Sequence, residues 1–191
     1  VSWHWLESAT PGFDVVSFTG NATNRTISHS VGVSPEFIVV KNRADTDNWA
    51  VYHSGNTSAP ATDYLVLNER DATADDATVW NDTSPTSSVF SVGTGSLTNG
   101  NTEAMIAYVF APVEGFSSFG SYVANAAADG PFIYTGFKPA FVIFKCTTAV
   151  RTWVMYDNAR DPVNFVNDRM YPNTADTNDP HASNDHVDFL S

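Results

Sequence analysis

The feature that most constrains this chain is an internal repeat. The segment Gly32–Lys41 matches Gly136–Lys145 at an offset of 104 residues, and the match continues downstream. The identical pairs are Gly32/Gly136, Pro35/Pro139, Phe37/Phe141, Lys41/Lys145, Trp49/Trp153 and Tyr52/Tyr156. The pair Gly12-Phe13 also recurs as Gly115-Phe116. A duplication explains this pattern better than chance. We therefore predict a leader strand or linker at residues 1–11, copy one at residues 12–114 and copy two at residues 115–191.

Each copy predicts a β-hairpin. A glycine ends one strand with a turn, and a proline then fixes the backbone φ before the next strand. A buried apolar strand follows. After a polar turn, a second strand alternates Trp, a smaller residue and Tyr. Trp49 and Val51 should face one way, and Ala50 and Tyr52 the other. The predicted core residues of the repeat are Phe37, Trp49, Tyr52, Phe141, Trp153 and Tyr156.

The composition indicates an all-β fold. The chain has 16 Asp, 16 Asn, 18 Ser and 20 Thr, against only five Glu and three Lys. The abundant residues form turns, whereas Glu and Lys are common on helix surfaces. Each copy has the size of a sandwich domain, about 100 residues. We predict a duplicated antiparallel β-sandwich, jelly-roll or lectin-like, with two similar lobes packed through their aromatic hairpins.

Copy two lacks a counterpart of the last strand of copy one. That strand is predicted at residues 103–110, and Val187–Phe189 aligns with Ser88–Phe90. No match to Met105–Phe110 follows in the sequence. A lobe without its closing strand exposes a sheet edge. We therefore expect the natural polypeptide to continue beyond Ser191, and to begin before Val1.

Charge and apolar pattern exclude several classes of protein. The net charge is −12, from nine basic and 21 acidic residues, and this disfavours binding to nucleic acid. No apolar run approaches the roughly 18 residues of a membrane span, so we expect no membrane insertion. The single Cys146 excludes an intrachain disulfide and a cysteine-rich zinc site.

The loops of copy one, which carries a net charge of −8, suggest a metal site. Asp71, Asp75 and Asp76 cluster in one loop and could hold Ca²⁺ through carboxylate oxygens. The loop lacks the Gly and Glu positions of an EF-hand, and a solvated loop surface is the alternative. No cofactor is required by this sequence, and Ca²⁺ is the one that the carboxylates could bind.

A second metal hypothesis concerns the last loop. It contains two histidines among aspartates: His181, His186, Asp179, Asp185 and Asp188. Their spacing fits neither a helix face nor one strand face, so this hypothesis is the weaker one.

Catalytic motifs are mostly missing from the sequence. It contains no G-x-S-x-G elbow, no P-loop and no H-E-x-x-H motif. Glycosidases need a pair of carboxylates, and the glutamates Glu36, Glu69, Glu103 and Glu114 are far apart in sequence. Because any Asp could serve instead, a glycosidase stays open as an alternative. We expect a protein that is not an enzyme.

One loop combines an aromatic side chain with planar polar groups, as carbohydrate-binding sites do. The residues are Trp80, Asn81 and Asp82, and copy two has no Trp in the corresponding stretch. Trp80 is therefore not fixed by the repeat framework. We consider the three residues as a ligand-binding site, with a loop anchor packed on the sandwich as the alternative.

Much of the chain resembles a known group of proteins. The segments concerned are Pro11–Gly20, Ser34–Arg43, Asn48–His53, Trp80–Phe90, Val113–Tyr122 and Asp129–Phe141. They are similar to a duplicated β-rich domain found in tail-fibre and other virion structural proteins of marine tailed phages and prophages. The resemblance extends over nearly the whole chain from residue 11. It implies a location in the virion and supplies no catalytic or binding residues.

The resemblance favours a non-catalytic virion module, in a tail fibre or tail tip, that attaches to the host cell surface. Its expected partners are other virion proteins and a host surface glycan or protein. Adhesion through many weak sites would use a homo-oligomer, for example a trimer. One alternative is a glycan-degrading tailspike enzyme. The other is a purely structural capsid or tail decoration protein, which a large apolar patch on one lobe would favour.

Overall fold

The computed structural model describes residues 4–127, 129–175 and 186–190. The fold is all-β with antiparallel sheets, as the composition predicts, and its two helices in these segments have four residues each. The strands are β1 Phe13–Thr19, β2 Arg25–Ser28, β3 Phe37–Asn42, β4 Trp49–His53, β5 Asp63–Val66, β6 Ala74–Asp75, β7 Val89–Val92, β8 Ala104–Phe110, β9 Phe141–Phe144 and β10 Val154–Asp157. The helices are α1 Ala77–Trp80 and α2 Ser96–Asn99.

Copy one contains the main sheet, whose strand order is β1-β8-β3-β4-β5-β6. Strand β8 lies inside this sheet. It pairs with β1 from Phe13↔Phe110 to Thr19↔Ala104, and with β3 from Phe37↔Phe110 to Asn42↔Met105. Strands β2 and β7 form a second, two-stranded sheet. The last strand of copy one therefore joins the first strand to the hairpin, and its predicted position is confirmed.

The core of copy one lies between these two layers. Alternate residues of the hairpin point inward, so Val40 and Tyr52 belong to the same buried cluster as Phe90 of β7. Other residues in this core are Ile27, Ile38, Ala50, Val79, Trp80, Val92, Met105, Ala107 and Val109. Two packed antiparallel layers with an apolar interior give copy one a sandwich-like character.

The opposite face of the hairpin is covered by copy two. Trp153 is only 3% exposed and packs against Val51 and Leu65. Its indole Nε1–H donates a hydrogen bond to the carbonyl oxygen of Val66 at 2.8 Å. The partly buried side chains of Trp49 and Ile143 belong to the same cluster, so the two hairpins meet there.

The local backbone conformation repeats at the same offset of 104 residues as the sequence. Gly32 and Gly136 have φ of 77° and 84°, a left-handed conformation that glycine adopts without steric cost. Ala22 and Ala126, which also match across the repeat, have φ of 52° and 55°. Each repeat lysine donates to a carbonyl across its hairpin turn, Lys41 to Asp47 and Lys145 to Arg151. The two hairpins are therefore alike in detail.

A second sandwich is not confirmed. In the described part of copy two, β9 pairs with β10, and only isolated bridges such as Met155↔Met170 accompany them. The stretch that matches β1, residues 116–122, forms no strand. The physical reason is that β8 holds β1 in copy one, whereas no β8 counterpart occurs among the described residues of copy two.

The predicted core residues divide into two groups. Tyr52, Trp153 and Tyr156 are buried, as predicted. Phe37, Trp49 and Phe141 are half-buried, and the first two lie on the hairpin face that packs in the same cluster as Trp153. The predicted facing of the hairpin is confirmed, since Tyr52 joins the inner core and Val51 the outer cluster.

Candidate functional site

The loop proposed to bind a ligand begins with the short helix α1. Asp76 caps this helix: its Oδ1 accepts hydrogen bonds from the Thr78 N–H at 2.8 Å and the Thr78 hydroxyl at 2.7 Å. Asn81 ends the helix in the left-handed conformation, with its N–H bonded to the Ala77 carbonyl. This single turn directs Trp80 into the core, where it is 2% exposed and its ring lies edge-on to Tyr52.

The expectation of an exposed aromatic at Trp80 therefore does not match the structure, and its burial agrees with the loop-anchor alternative. Asn81 is half-buried and Asp82 is exposed, both with positive φ. Only these two of the three proposed residues offer polar groups at the surface.

The three proposed calcium ligands do not gather around one point. Asp76 is engaged as the helix cap, Asp75 lies in β6 opposite Asp63, and Asp71 precedes that strand. Within residues 4–127, 129–175 and 186–190, no three His, Cys, Asp or Glu side chains group as metal ligands do.

The histidine hypothesis falls mostly on residues that the structure does not describe. Asp179, His181 and Asp185 lie outside the described residues. His186 is described, and its ring packs against Phe165 with centroids 4.4 Å apart.

A polar cluster that the sequence analysis missed lies at one end of the main sheet. The fully buried Asn42 donates through Nδ2 to Glu103 Oε2 at 2.6 Å and to Asp47 Oδ2 at 3.1 Å. Its Oδ1 accepts from the Ala44 N–H at 3.0 Å. Two carboxylates thus share one amide nitrogen, which ties the β3–β4 turn to the start of β8. The one sign of this cluster in the sequence is that the apolar strand β3 ends in the polar residue Asn42.

Aromatic rings from both copies surround His53 of β4. Phe119 stacks on Phe37 at 6.0 Å between centroids and meets His53 edge-on at 6.4 Å. The Gly55 N–H donates to His53 Nδ1 at 2.9 Å. Burial lowers the pKa of His53, although a hydrogen bond with its own backbone opposes this, and burial raises the pKa of the nearby Glu36.

Copy two carries most of the exposed large hydrophobic side chains in the described parts of the chain. Val123 is 89% exposed, Tyr134 83% and Phe132 74%. We call this set the apolar surface of copy two; it comprises Phe116, Tyr122, Val123, Phe132, Ile133, Tyr134, Val150, Val163, Phe165 and Leu190. Contiguous apolar patches mark interaction sites in many proteins, and these side chains are candidates for such a site.

Copy one presents a different surface. Its exposed carboxylates are Asp75 in β6 and, outside the strands, Asp45, Glu69, Asp71, Asp76, Asp82 and Glu114. In the described segments, no helix has the length and apolarity needed to cross a bilayer. The molecule therefore divides into an acidic, polar copy one and a copy two with exposed apolar side chains.

Strand β9 has one edge that no strand in the described residues pairs with. Its other edge pairs with β10, from Phe141↔Asp157 to Phe144↔Val154. The matching strand of copy one, β3, is paired on both sides, with β4 and β8.

The fold and its surfaces define the class of protein: an all-β module built from a repeated hairpin, with one copy enclosed in a sandwich-like layer structure. A family model described as a domain of unknown function (DUF7483) matches residues 3–191. The chain belongs to this family. No match was found among curated proteins or among solved structures.

Proposed function

We propose that this chain is a non-catalytic module of a phage virion, in a tail fibre or tail tip. The apolar surface of copy two docks onto a neighbouring virion protein, and the acidic loops of copy one face the host cell. The observation that carries this proposal is the separation of the two surfaces onto different copies. The resemblance to tail-fibre and other virion structural proteins supports the location.

The exposed apolar side chains support docking to another protein. Burying one such side chain contributes roughly 1.5–3 kcal/mol. Several of them together can exceed the cost of association, about 4–15 kcal/mol. Phe132, Tyr134 and Val123 are the most accessible, and they provide aromatic and aliphatic anchors of the kind found at interface centres.

The loops of copy one support contact with a polar surface. Their carboxylates and hydroxyl groups, for example Asp82 and Thr83, stay exposed at the tip of the α1 loop. Single contacts of this kind are weak. A homo-oligomer multiplies them, because each further contact forms at high effective concentration. We propose such an oligomer, for example a trimer, as the form that attaches to a host glycan or protein.

Purified particles test the virion location. Prophage particles from the host that carries the gene are banded on a density gradient, and their proteins are identified by mass spectrometry. We expect the chain in the particle band. A Phe132→Ser, Tyr134→Ser double variant should remain in the soluble lysate, while Val33→Ser, on the exposed surface of copy one, should still band with the particles. Recovery of the wild-type chain only in the soluble lysate would overturn the proposal.

A binding assay tests the attachment role. The purified chain is incubated with host cells, with and without added Ca²⁺, and the bound fraction is measured after sedimentation. We expect binding that falls when Asp82 and Thr83 are both replaced by Ala. Absence of binding in both conditions would contradict the attachment role, and the purely structural role of a decoration protein would remain.

A glycan-degrading enzyme is the second candidate, because one observation favours it. Asp47 and Glu103 accept hydrogen bonds from the same amide nitrogen, so two carboxylates lie close together. Glycosidases work with such pairs. Host surface polysaccharide is incubated with the chain, and new reducing ends are measured. If the wild-type chain produces reducing ends and the Asp47→Asn variant does not, the enzyme is established. If the polymer stays unchanged with the wild-type chain, this second candidate function is excluded.

A further inference from the structure

We propose that protonation of His53 releases residues 116–122 of copy two from copy one, so that mild acid opens this contact between the copies. The inference goes beyond the proposed function, because it concerns a movement inside the chain and holds whether or not the chain belongs to a virion. Its basis is the geometry around the His53 ring.

His53 stands at the end of a row of aromatic side chains that crosses four strands. The pairing of β1, β8, β3 and β4 aligns, in this order, Phe13, Phe110, Phe37 and His53. Neighbouring rings in the row lie 4.8, 5.7 and 6.0 Å apart between centroids. Phe119 of copy two packs on the end of the row, against the rings of Phe37 and His53. The segment 116–122 is therefore anchored on copy one through an aromatic contact that includes His53.

The hydrogen bond to the His53 ring requires a neutral imidazole. The Gly55 N–H donates to His53 Nδ1 at 2.9 Å. A backbone N–H can only donate, so Nδ1 carries no proton in this arrangement. Protonation of the ring places a second N–H against that of Gly55, which removes the bond and sets two donors against each other. The turn at Gly55 therefore has to move when His53 becomes charged.

The turn at Gly55 is also packed against the backbone of copy two. A Cβ placed on Gly55 would lie 3.1 Å from the carbonyl carbon of Gly120 and 3.2 Å from the backbone nitrogen of Ser121. Close-packed groups transmit a displacement, because there is no void to absorb it. A shift of Gly55 is thus passed to Gly120 and to the neighbouring Phe119, whose ring anchors the segment.

Three titratable groups of copy one lie around His53, and in the described residues none of them forms an ion pair with it. Tyr52 precedes it and faces the inner core. Extended along both strands, the β4–β5 register brings Asp63 opposite His53, and this carboxylate accepts a hydrogen bond from a threonine hydroxyl. Burial raises the pKa of Glu36, which precedes β3, so this group loses its charge as the pH falls. From copy two, residues 116–122 bring no acidic or basic side chain.

The direction of the pH effect follows from proton linkage. Burial is the largest influence on His53 and lowers its pKa in the docked form, whereas the ring of the released form regains its ordinary pKa of 6.5. Between these two values the released form binds more protons. The contact is therefore at full strength above the ordinary pKa. As the pH falls towards the docked pKa, the equilibrium constant for docking drops by up to about tenfold per pH unit.

Nuclear magnetic resonance of the full chain tests the inference in a titration from about pH 7.5 to about pH 5. The two readouts are the chemical shifts of the His53 ring and the nuclear Overhauser effect between the rings of Phe119 and Phe37. We expect this Overhauser effect at the higher pH and its loss at the lower, with the midpoint of the His53 titration. The Overhauser effect between Phe37 and Phe110, both in copy one, should persist throughout. Its simultaneous loss would mean that copy one unfolds as a whole, and this would overturn a local release.

Three variants separate His53 from other sources of pH dependence. His53→Gln stays neutral and its side-chain oxygen can accept the Gly55 N–H, so the contact with Phe119 should survive at both pH values. His29→Gln is the matched control: His29 is a half-buried histidine of copy one that bonds to the Thr86 carbonyl, and this variant should behave as the wild type does. Phe119→Ala removes the anchor, and because linkage is reciprocal the midpoint of the His53 titration should rise towards 6.5.

The inference is overturned by any of three results. The first is a contact between Phe119 and Phe37 that persists at the lower pH in the wild type. The second is loss of this contact at the lower pH in His53→Gln, which would assign the effect to another group such as Glu36. The third is an unchanged His53 midpoint in Phe119→Ala, a measurement that does not depend on whether the glutamine variant folds.

Discussion

Replacing Trp153 by Phe should destabilise the contact between the two copies far more than the same change at Trp49. The two residues match across the repeat, and each donates its backbone N–H to an asparagine side chain, Asn173 and Asn68 respectively. Only Trp153 is fully buried with its indole N–H bonded to the buried carbonyl of Val66.

The magnitude follows from that hydrogen bond and from the lost volume. Leaving a buried acceptor without its donor costs about 1–3 kcal/mol. The Val66 carbonyl also has the Glu69 N–H at 3.5 Å, so we take the lower part of this range, about 1–2 kcal/mol. The smaller ring leaves a cavity that adds about 1 kcal/mol. We therefore expect the free energy of unfolding to fall by about 2–3 kcal/mol, or the melting temperature by roughly 5–10 °C.

Chemical denaturation followed by far-UV circular dichroism measures this loss, and hydrogen exchange at residues 141–157 locates it. Trp49→Phe is the matched control: its side chain is half-buried and stacks on Tyr108 with centroids 6.4 Å apart, so we expect a loss below about 1 kcal/mol. If both variants lose the same free energy of unfolding, the argument that the buried Trp153 joins the two copies is refuted.

Three further predictions concern copy one. Asp76→Ala removes the cap of α1 and should lower the free energy of unfolding by about 1 kcal/mol in a thermal melt, and a loss near zero would contradict the capping role. Asn42→Ala removes the donor that Asp47 and Glu103 share, and denaturant titration should show a loss of about 1–3 kcal/mol; a neutral result would mean that solvent replaces the amide. Burial lowers the pKa of His53 in the folded chain below its ordinary value of 6.5. Between the folded and the unfolded pKa, the unfolded chain binds more protons than the folded chain. The free energy of unfolding should therefore fall as the pH drops from the unfolded pKa to the folded pKa. His53→Gln should lessen that fall between pH 7.5 and 5 in urea titrations, and an unchanged profile would exclude His53 as its source.

The sequence predicted the parts of the fold that local patterns encode. The repeated glycines and the alternation of Trp49, Val51 and their neighbours were enough to place both hairpins and the facing of their side chains. The all-β class followed from turn-forming residues. These features depend on backbone conformation and on period-two burial, both of which can be read over a few residues.

The parts that depend on distant pairing could not be predicted in the same way. Trp80 is buried because one helical turn directs it inward, and four residues are too few to show a helical period. Asn42 contacts Glu103 because β3 and β8 pair, although the two residues are far apart in sequence. The second sandwich is not confirmed in the described residues, because they contain no strand that pairs with β9 as β8 pairs with β3.

The central position of β8 also sets the order in which copy one can fold. Strand β1 pairs with β8 and with no other strand in the described sheet, yet nearly the whole of copy one separates them in sequence. During synthesis, β1 must therefore wait until β8 has left the ribosome. Because closing so long a loop is entropically costly, this step should be slow compared with formation of the local β3–β4 hairpin. Until then, Phe13, Val16 and Phe18 are without their pairing strand, and this interval is when the nascent chain is most exposed to aggregation or to capture by a chaperone.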